Sequence, residues 1–373
     1  MTGNRPMTPA ASRPTESRTP ASTRSQEVVL CSLGGTVQSA SREGGGVFPS
    51  VDHERLVSSA GAVPTGVRVR PAPMGNLPSA ALDLPDLIRV LDRLDPLLDG
   101  GARAVVVTMG TDMLEEAAFA LDLLWGCNAP LVVTAAMRHP ERAGTDGPAN
   151  LRAAFQVAIS PAARGSGCVV VVNEEIHAAW QVQKGHTSLA SAFRSAHSGP
   201  LGWVAEDRVR FAAAPPDRPL LVGVGPSSVP AVALLRASMG DAPRLVGVLA
   251  EQGYSGLVVE AAGGGAVPPN WAEPLGAVAA HMPTVYASRT AGGAALRGTY
   301  AGPGSERDLR ERGLYPAGML DGLKARVLLR LLLSAGADRN QIRRCYDAFD
   351  RPTHHRPRRP LVGSSPARPG EPW

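Results

Sequence analysis

Arg103-Ala-Val-Val-Val-Thr-Met-Gly-Thr-Asp-Met-Leu-Glu-Glu-Ala-Ala-Phe-Ala-Leu-Asp-Leu-Leu124 is the stretch that decides the fold. It opens with a continuous apolar run, residues 104–107, which is typical of a strand buried on both faces. Apolar residues then recur at three- and four-residue steps, which predicts a helix. Gly110-Thr111-Asp112 lies where the period changes, so the strand would deliver a hydroxyl and a carboxylate to the carboxyl end of a parallel sheet, where open α/β folds bind ligands.

Asp112 has two interpretations at this point. With Glu115 three residues later it fits a helix capping box, in which side chains satisfy free backbone N–H groups and no chemistry is needed. A carboxylate beside a hydroxyl at a strand end also fits a functional site. The stretch by itself leaves both open.

The surrounding sequence repeats the change from strand to helix. Apolar or alternating runs predict strands over 27–33, 65–71, 129–138 and 167–173. An amphipathic helix is predicted over 84–98, and a further helix begins at Asp146, with Pro148 in its first turn. Strands alternating with helices at this spacing predict an α/β fold with a doubly wound, mostly parallel sheet.

Composition divides the chain into segments. Residues 1–26 and 351–373 are rich in Arg, Pro, Ser and Thr, and are expected to be disordered tails. Between them we expect a larger N-terminal domain over 27–212, a proline-rich linker over 213–219 and a smaller C-terminal α/β domain over 220–350.

The C-terminal domain is expected to contain its own strands and helices. Strands are predicted over 220–224, 244–249 and 256–261, and a helix is predicted over 230–237. A strongly apolar helix over 320–333 contains Lys324 and is expected to pack on the sheet.

The net charge of +5 comes from the tails, because residues 27–350 are close to neutral. A near-neutral body does not indicate a nucleic-acid partner. The four cysteines are far apart and imply neither a zinc site nor a disulfide framework. We see neither a signal peptide nor an apolar run long enough for a membrane span, so the expected location is the cytoplasm, with no membrane partner.

Two residues outside the central stretch are candidates for chemistry. Thr36 follows Gly34-Gly35 at the end of the first strand, although by itself it could equally be a turn residue. The loop after it, from Ser39 to Gly46, is expected to be mobile and has a composition that suits a lid. Lys184 is one of only two lysines in an arginine-rich chain, and an amine can lose its proton where a guanidinium cannot. The alternative for Lys184 is a solvated surface lysine.

Three segments together resemble the bacterial L-asparaginase family, and the resemblance extends from about Val28 to Tyr346. Their order and intervals carry it: Leu33-Gly-Gly-Thr36, then Met109-Gly-Thr-Asp-Met113 leading into Glu115-Glu116, then Ala136-Met-Arg138 with Asp146-Gly-Pro-Ala-Asn150. Shorter matches strengthen it, namely Asn173-Glu-Glu-Ile-His-Ala, Gln183-Lys184, Ser198-Gly-Pro-Leu-Gly202 and Lys324-Ala-Arg-Val327.

The resemblance implies hydrolysis of an amide by two threonines, without a metal or cofactor. Thr36 matches the nucleophile, and Thr111, Asp112 and Lys184 match a second hydroxyl–carboxylate–amine group. These residue types suit the task, since a threonine hydroxyl is a poor nucleophile until a neighbouring base activates it.

The resemblance also implies residues that bind a small amino-acid substrate. Gly35 and Gly110 stand beside the two threonines, while Asn76 and Ala136 match positions that line the substrate. Family members assemble as dimers of intimate dimers with shared sites, so a homodimer or homotetramer is expected. Glu306 matches the residue that reaches into the partner's site.

The chain departs from the family pattern at two places. The family usually carries a tyrosine in its flexible lid, but the first tyrosine of this chain is Tyr254, and Val47-Phe48-Pro49 stands at the lid position. Tyr300, on another loop, is a candidate replacement. The family's Ser-Gln-Asp segment aligns with Asn76-Leu-Pro-Ser79, in which Leu77 has no polar side chain and only Asn76 and Ser79 remain as substitutes.

Three functions follow in order of preference. The favoured one is hydrolysis of asparagine to aspartate and ammonia through an acyl-threonine intermediate. The second is the same chemistry on another side-chain or metabolite amide, which the altered segment 76–79 motivates. The third is a non-catalytic protein that binds an amino acid, and it would leave the retained lysine without a purpose.

Overall fold

A computed structural model describes residues 25–41, 47–49, 56–58, 63–214, 219–226, 229–350 and 360–362. Most of both expected tails, residues 42–46 of the expected lid and residues 215–218 of the expected linker lie outside the described residues. The side chains of Val47, Phe48 and Pro49, which stand in the place of the family's lid tyrosine, also lie outside the described part of the chain.

The described strands and helices alternate along most of the chain. The strands are β1 (Gln26–Ser32), β2 (Ser39–Ser41), β3 (Val47–Pro49), β4 (Val67–Pro73), β5 (Ala104–Thr108), β6 (Leu131–Thr134), β7 (Cys168–Val172), β8 (Glu175–Ala178), β9 (Val182–Lys184), β10 (Phe193–Ser195), β11 (Gly202–Ala205), β12 (Arg208–Phe211), β13 (Leu220–Leu221), β14 (Val232–Arg236), β15 (Gly256–Ala261), β16 (Thr284–Ser288), β17 (Tyr315–Pro316) and β18 (Pro360–Val362). The helices are α1 (Leu84–Asp99), α2 (Leu114–Leu124), α3 (Gly147–Ile159), α4 (Pro269–His281), α5 (Glu306–Glu311), α6 (Gly322–Ser334) and α7 (Arg339–Ala348).

The larger sheet has eight strands in the order β12-β11-β8-β7-β6-β5-β1-β4. The neighbours from β7 to β4 pair in parallel, and those from β7 to β12 pair antiparallel. The apolar run 104–107 is fully buried in β5, as a central strand covered on both faces requires. The predicted α/β class with a mostly parallel N-terminal sheet is confirmed.

The smaller sheet is parallel throughout, in the order β14-β15-β16-β17. Val258 belongs to a core shared with the N-terminal sheet, while Val259 points to a second core on the other face of this smaller sheet. Helix α6 packs on β14 and β15 and also contacts α2 of the larger domain. The two domains therefore meet along α6.

Three expectations for the C-terminal part are wrong. The helix expected over 230–237 is β14, because pairing with β15 outweighs the helix preference of its Ala, Leu and Arg residues. The strand expected over 244–249 is a short 3₁₀ turn, Val246–Val248, because β14 already occupies the place beside β15. Pro360–Val362, expected to belong to a disordered tail, forms a strand paired with Leu220–Leu221.

The register of the parallel strands brings their carboxyl ends together. Ser32 of β1 lies opposite Pro73 of β4 and Thr108 of β5, and Thr108 lies opposite Thr134 of β6. The loops that follow these four strands consequently emerge side by side at one edge of the sheet, where ligands bind in folds of this class.

Candidate active site

The turn after β1 lies directly against the turn after β5. Gly35 has φ +96°, and a Cβ placed on it would lie 2.4 Å from the backbone nitrogen of Gly110. Only glycine fits such a position, since other residues would be strained and would clash. This close approach places the next residue on each turn, half-buried Thr36 and buried Thr111, on adjoining loops.

Lys184 points its amine at the turn after β5. Its Nζ donates hydrogen bonds to Thr111 Oγ1 at 2.9 Å and to Asp112 Oδ1 at 2.8 Å. The lysine side chain is only 17% exposed, which does not fit a solvated surface lysine. The structure thus brings together three of the residues selected from the sequence, although Lys184 is far from the other two in the chain.

The capping-box interpretation of Asp112 is wrong. Helix α2 begins at Leu114, and its N-cap, Met113, forms no side-chain cap. Asp112 bonds instead to the Lys184 amine, and Glu115 Oε2 accepts a hydrogen bond from the Lys184 backbone N–H at 3.1 Å. Both carboxylates therefore hold Lys184 rather than the helix end.

The loop after β4 supports the same corner. Ser79 is buried, and its Oγ accepts a hydrogen bond from the Asp112 backbone N–H at 3.2 Å, so Ser79 fixes the turn. Asn76 Oδ1 would lie 3.0 Å from a Cβ on Gly34, so its amide borders the turn that carries Thr36. Leu77, 45% exposed, presents an apolar side chain beside them.

Ala136 is held by residues whose role the sequence did not reveal. The Asp146 carboxylate accepts hydrogen bonds from the backbone N–H groups of Met137 and Arg138. Buried Asn150 donates from Nδ2 to the Ala135 carbonyl at 2.9 Å and to Asp146. The sequence signals were the Asp-Gly-Pro start of α3, which indicated a helix, and the matched family segment from Asp146 to Asn150, which did not reveal an anchor for the neighbouring loop.

Glu306 is buried within its own chain. Its side chain is 1% exposed, and Oε1 accepts a hydrogen bond from the Tyr300 backbone N–H at 2.6 Å. Within its own chain the buried carboxylate shapes the loop that carries Tyr300, and a role for Glu306 in a partner's site stays a prediction. Tyr300 itself is 63% exposed and lies on the C-terminal domain.

Burial and neighbouring charges together set the pKa values of Glu115 and Asp321, the carboxylates behind Lys184. Burial raises the pKa of Glu115, although Lys324 and the hydrogen bond from Lys184 oppose the rise. Burial also acts to raise the pKa of Asp321, but the Lys324 charge and the hydrogen bonds from Lys324 and Gln183 outweigh it, so that pKa is lowered.

Two touching strand-end turns thus carry one threonine each, and the second also holds a carboxylate and contacts the Lys184 amine, a set of groups suited to hydrolysis. Two family models match the chain: Asparaginase, N-terminal over residues 27–217, and Glutaminase/Asparaginase C-terminal domain over residues 231–346. The chain belongs to the asparaginase family, whose members are amidohydrolases.

Individual relatives agree with the family models. A probable L-asparaginase of Deinococcus radiodurans is 38% identical over 86% of this chain and 96% of its own length. An L-asparaginase of Bacillus licheniformis is 30% identical over 86% of this chain and 99% of its own. The crystal structure of a probable cytoplasmic L-asparaginase from Campylobacter jejuni superposes with a TM-score of 0.77, at 25% identity, covering 86% of this chain and 99% of that one.

Among the helices that the structure describes, none combines the length and the apolar character that crossing a bilayer requires.

Proposed function

We propose that this chain hydrolyses L-asparagine to L-aspartate and ammonia through an acyl-threonine intermediate. The observation that carries the proposal is the 2.9 Å contact between Lys184 Nζ and Thr111 Oγ1, beside Asp112 and next to the turn that bears Thr36. The named relatives that are L-asparaginases support the choice of substrate.

In the first step, Thr36 Oγ1 attacks the side-chain amide carbon of asparagine. The hydroxyl proton passes through the neighbouring hydroxyl and amine groups to the leaving nitrogen, the C–N bond breaks, and ammonia departs. Backbone N–H groups at the turn before α2 would stabilise the negative oxygen. That of Asp112 already donates to Ser79, so other N–H groups of this turn would serve.

In the second step, water attacks the acyl-threonine ester. Thr111 and Lys184 take up a proton from the water, the ester bond breaks, and Thr36 regains its hydroxyl as aspartate is released. Asp112 lies 2.8 Å from the amine and 67% of its side chain is exposed, so it both fixes Lys184 and faces the space where the α-amino group of a substrate would lie.

Ammonia release from asparagine tests the proposal. We expect turnover by the unaltered chain and losses of about 10²-fold or more in Thr36→Ala and Lys184→Met. Thr65→Ala, which removes an exposed threonine hydroxyl away from the site, is the matched control and should retain full activity. Unchanged turnover in both site variants would refute the assignment of roles.

A second candidate substrate is an amide other than free asparagine. Leu77 is 45% exposed beside the Gly34 turn and offers no hydrogen bond to a substrate carboxylate. A panel of free asparagine, free glutamine and peptide-linked or acylated side-chain amides discriminates between the two. Turnover of a linked amide with none of free asparagine would select this candidate.

We also propose that the chain forms a homodimer or homotetramer with shared sites and works in the cytoplasm. The exposed Asp112 carboxylate supports shared sites, because the site is open on one side in a single chain. Four free thiols and the structural relative described as a probable cytoplasmic L-asparaginase support a cytoplasmic location. Light scattering during size-exclusion chromatography and fractionation of native cells test them; an active monomer would contradict shared sites.

A further inference from the structure

Lys324 is the other lysine of the chain, and its amine is fully buried. Its Nζ lies 2.9 Å from Asp321 Oδ2 and 3.6 Å from Glu115 Oε2. Asp321 and Lys324 belong to the start of α6, whereas Glu115 belongs to α2, so the cluster crosses from one domain to the other. A charged amine away from water requires such partners. The predicted packing of this helix on the sheet is confirmed, and the Lys324 contacts add to it.

Each carboxylate of this cluster also holds strand β9. Glu115 Oε2 accepts a hydrogen bond from the Lys184 backbone N–H at 3.1 Å, and Asp321 Oδ2 accepts one from Gln183 Nε2 at 2.8 Å. Within the described part of the chain, β9 pairs only with β10, outside the large sheet. The place of Lys184 therefore depends on contacts other than the main hydrogen-bonded ladder.

We propose that Lys324 is a positioning residue for the reaction: by holding Glu115 and Asp321 side by side, it fixes β9 and so keeps the Lys184 amine against Thr111. The inference rests on the proposed function and adds that the C-terminal domain takes part in the active site of its own chain. Lys324 acts through two carboxylates and contacts no substrate.

Loss of the Lys324 ammonium group would make the Glu115 and Asp321 carboxylates repel each other. Glu115 then faces Asp321 and Glu116, with the Lys184 N–H as its hydrogen-bond donor. Arg326 acts on Glu116, and His197 faces Asp321. Because burial already favours the neutral form of Glu115, its carboxyl would take up a proton first on acidification, which relieves the repulsion. At higher pH both groups are charged and β9 is displaced.

The test compares Lys324→Met with Arg330→Met. Arg330 is on the same helix and forms its own ion pair between domains, to both oxygens of Asp83, but it does not contact β9. Both variants should lower the melting temperature. Only Lys324→Met should lower kcat, by about tenfold or more at neutral pH, with KM within about threefold and the pH optimum moved toward acid.

Two further measurements separate positioning from general damage. Lys324→Met/Glu115→Gln removes the repulsion and should restore much of the activity lost on the alkaline side. Hydrogen exchange of the peptide over residues 182–185 should accelerate in Lys324→Met and not in Arg330→Met.

The inference is overturned if Lys324→Met keeps the kcat and pH profile of the unaltered chain, or if Arg330→Met loses as much activity. If the unaltered chain releases no ammonia from asparagine, the proposed function fails by itself. Hydrogen exchange still decides the positioning role in that case, since equal exchange over residues 182–185 in both variants would refute it.

Discussion

At the scale of single residues, Lys184 differs from the arginines that supply nearly all the positive charge of this chain. An ammonium can give up its proton when desolvated, whereas a guanidinium stays charged. Lys184 also makes short contacts to Thr111 and Asp112 that a larger planar group would have to rearrange. A lysine at this position therefore combines reach with the ability to exchange a proton.

Lys184→Arg separates charge from proton transfer. The variant keeps a cation beside Asp112 but cannot act as a base, so we expect kcat to fall by about 10²-fold or more, close to the loss in Lys184→Met. Steady-state ammonia release measures it, with a thermal melt to verify folding. An arginine variant with near-normal kcat would show that the charge alone matters.

Leu77→Gln places a hydrogen-bonding amide beside the Gly34 turn. If free asparagine is the substrate, one added hydrogen bond should lower its KM by roughly fivefold, which corresponds to about 1 kcal/mol. Leu77→Met, of similar volume and still apolar, is the control and should leave KM unchanged. An unaltered KM in the glutamine variant would place residue 77 outside substrate contact.

At the scale of elements, the site depends on two strand-end turns that touch. A Cβ on Gly35 would lie 2.4 Å from the Gly110 backbone nitrogen, and a Cβ on Gly110 would lie 2.6 Å from Ser79 Oγ, so neither position tolerates a side chain. The close approach places Thr36 and Thr111, which follow β1 and β5, on adjoining turns.

Gly35→Ala should destroy this contact. The new methyl would meet the Gly110 backbone at 2.4 Å, so we expect loss of activity together with a lower melting temperature. Gly313→Ala is the matched control, because its φ of +93° carries similar backbone strain while nothing lies within 4 Å. An equal loss of activity in the two variants would show that backbone strain, and not the contact with Gly110, is responsible.

Elements also show where sequence patterns fail. The buried run of β5 and the apolar stripe of α2 have distinct periods, and both elements are where the pattern predicted them. Segment 232–236 is a strand instead of the predicted helix, and segment 246–248 is a 3₁₀ turn instead of the predicted strand. Pairing beside β15 decides both states, and neither segment specifies that pairing by itself.

At the scale of the whole molecule, stability should depend on pH through His177. This side chain is fully buried with Nδ1 3.0 Å from Ser195 Oγ, and burial lowers its pKa from 6.5 to about 4. Glu175 lies 3.4 Å from Nε2, but its carboxylate is 42% exposed and screened by solvent. Between pH 6.5 and about 4, His177 is therefore protonated in the unfolded chain and neutral in the folded chain.

We therefore expect the free energy of unfolding to fall as pH drops from 6.5 toward 4, by about 3 kcal/mol from this residue. Urea unfolding at several pH values measures the fall. His177→Gln should flatten the dependence, whereas His186→Gln, at an exposed histidine, should leave it as it is. An identical slope in the His177 variant would contradict the assignment.

The sequence by itself determined the α/β class, the central strand and helix, and the residue types of the site, because periodicity and strand-end glycines are local properties. Thr36, Thr111, Asp112 and Lys184 were selected on these grounds together with the family resemblance. Only the tertiary structure decided that Asp112 and Glu115 bond to Lys184 instead of capping α2, that Glu306 is buried, and that Lys324 joins the two domains behind the site. Such contacts join residues far apart in the chain, and their energies depend on burial and distance, which no local pattern specifies.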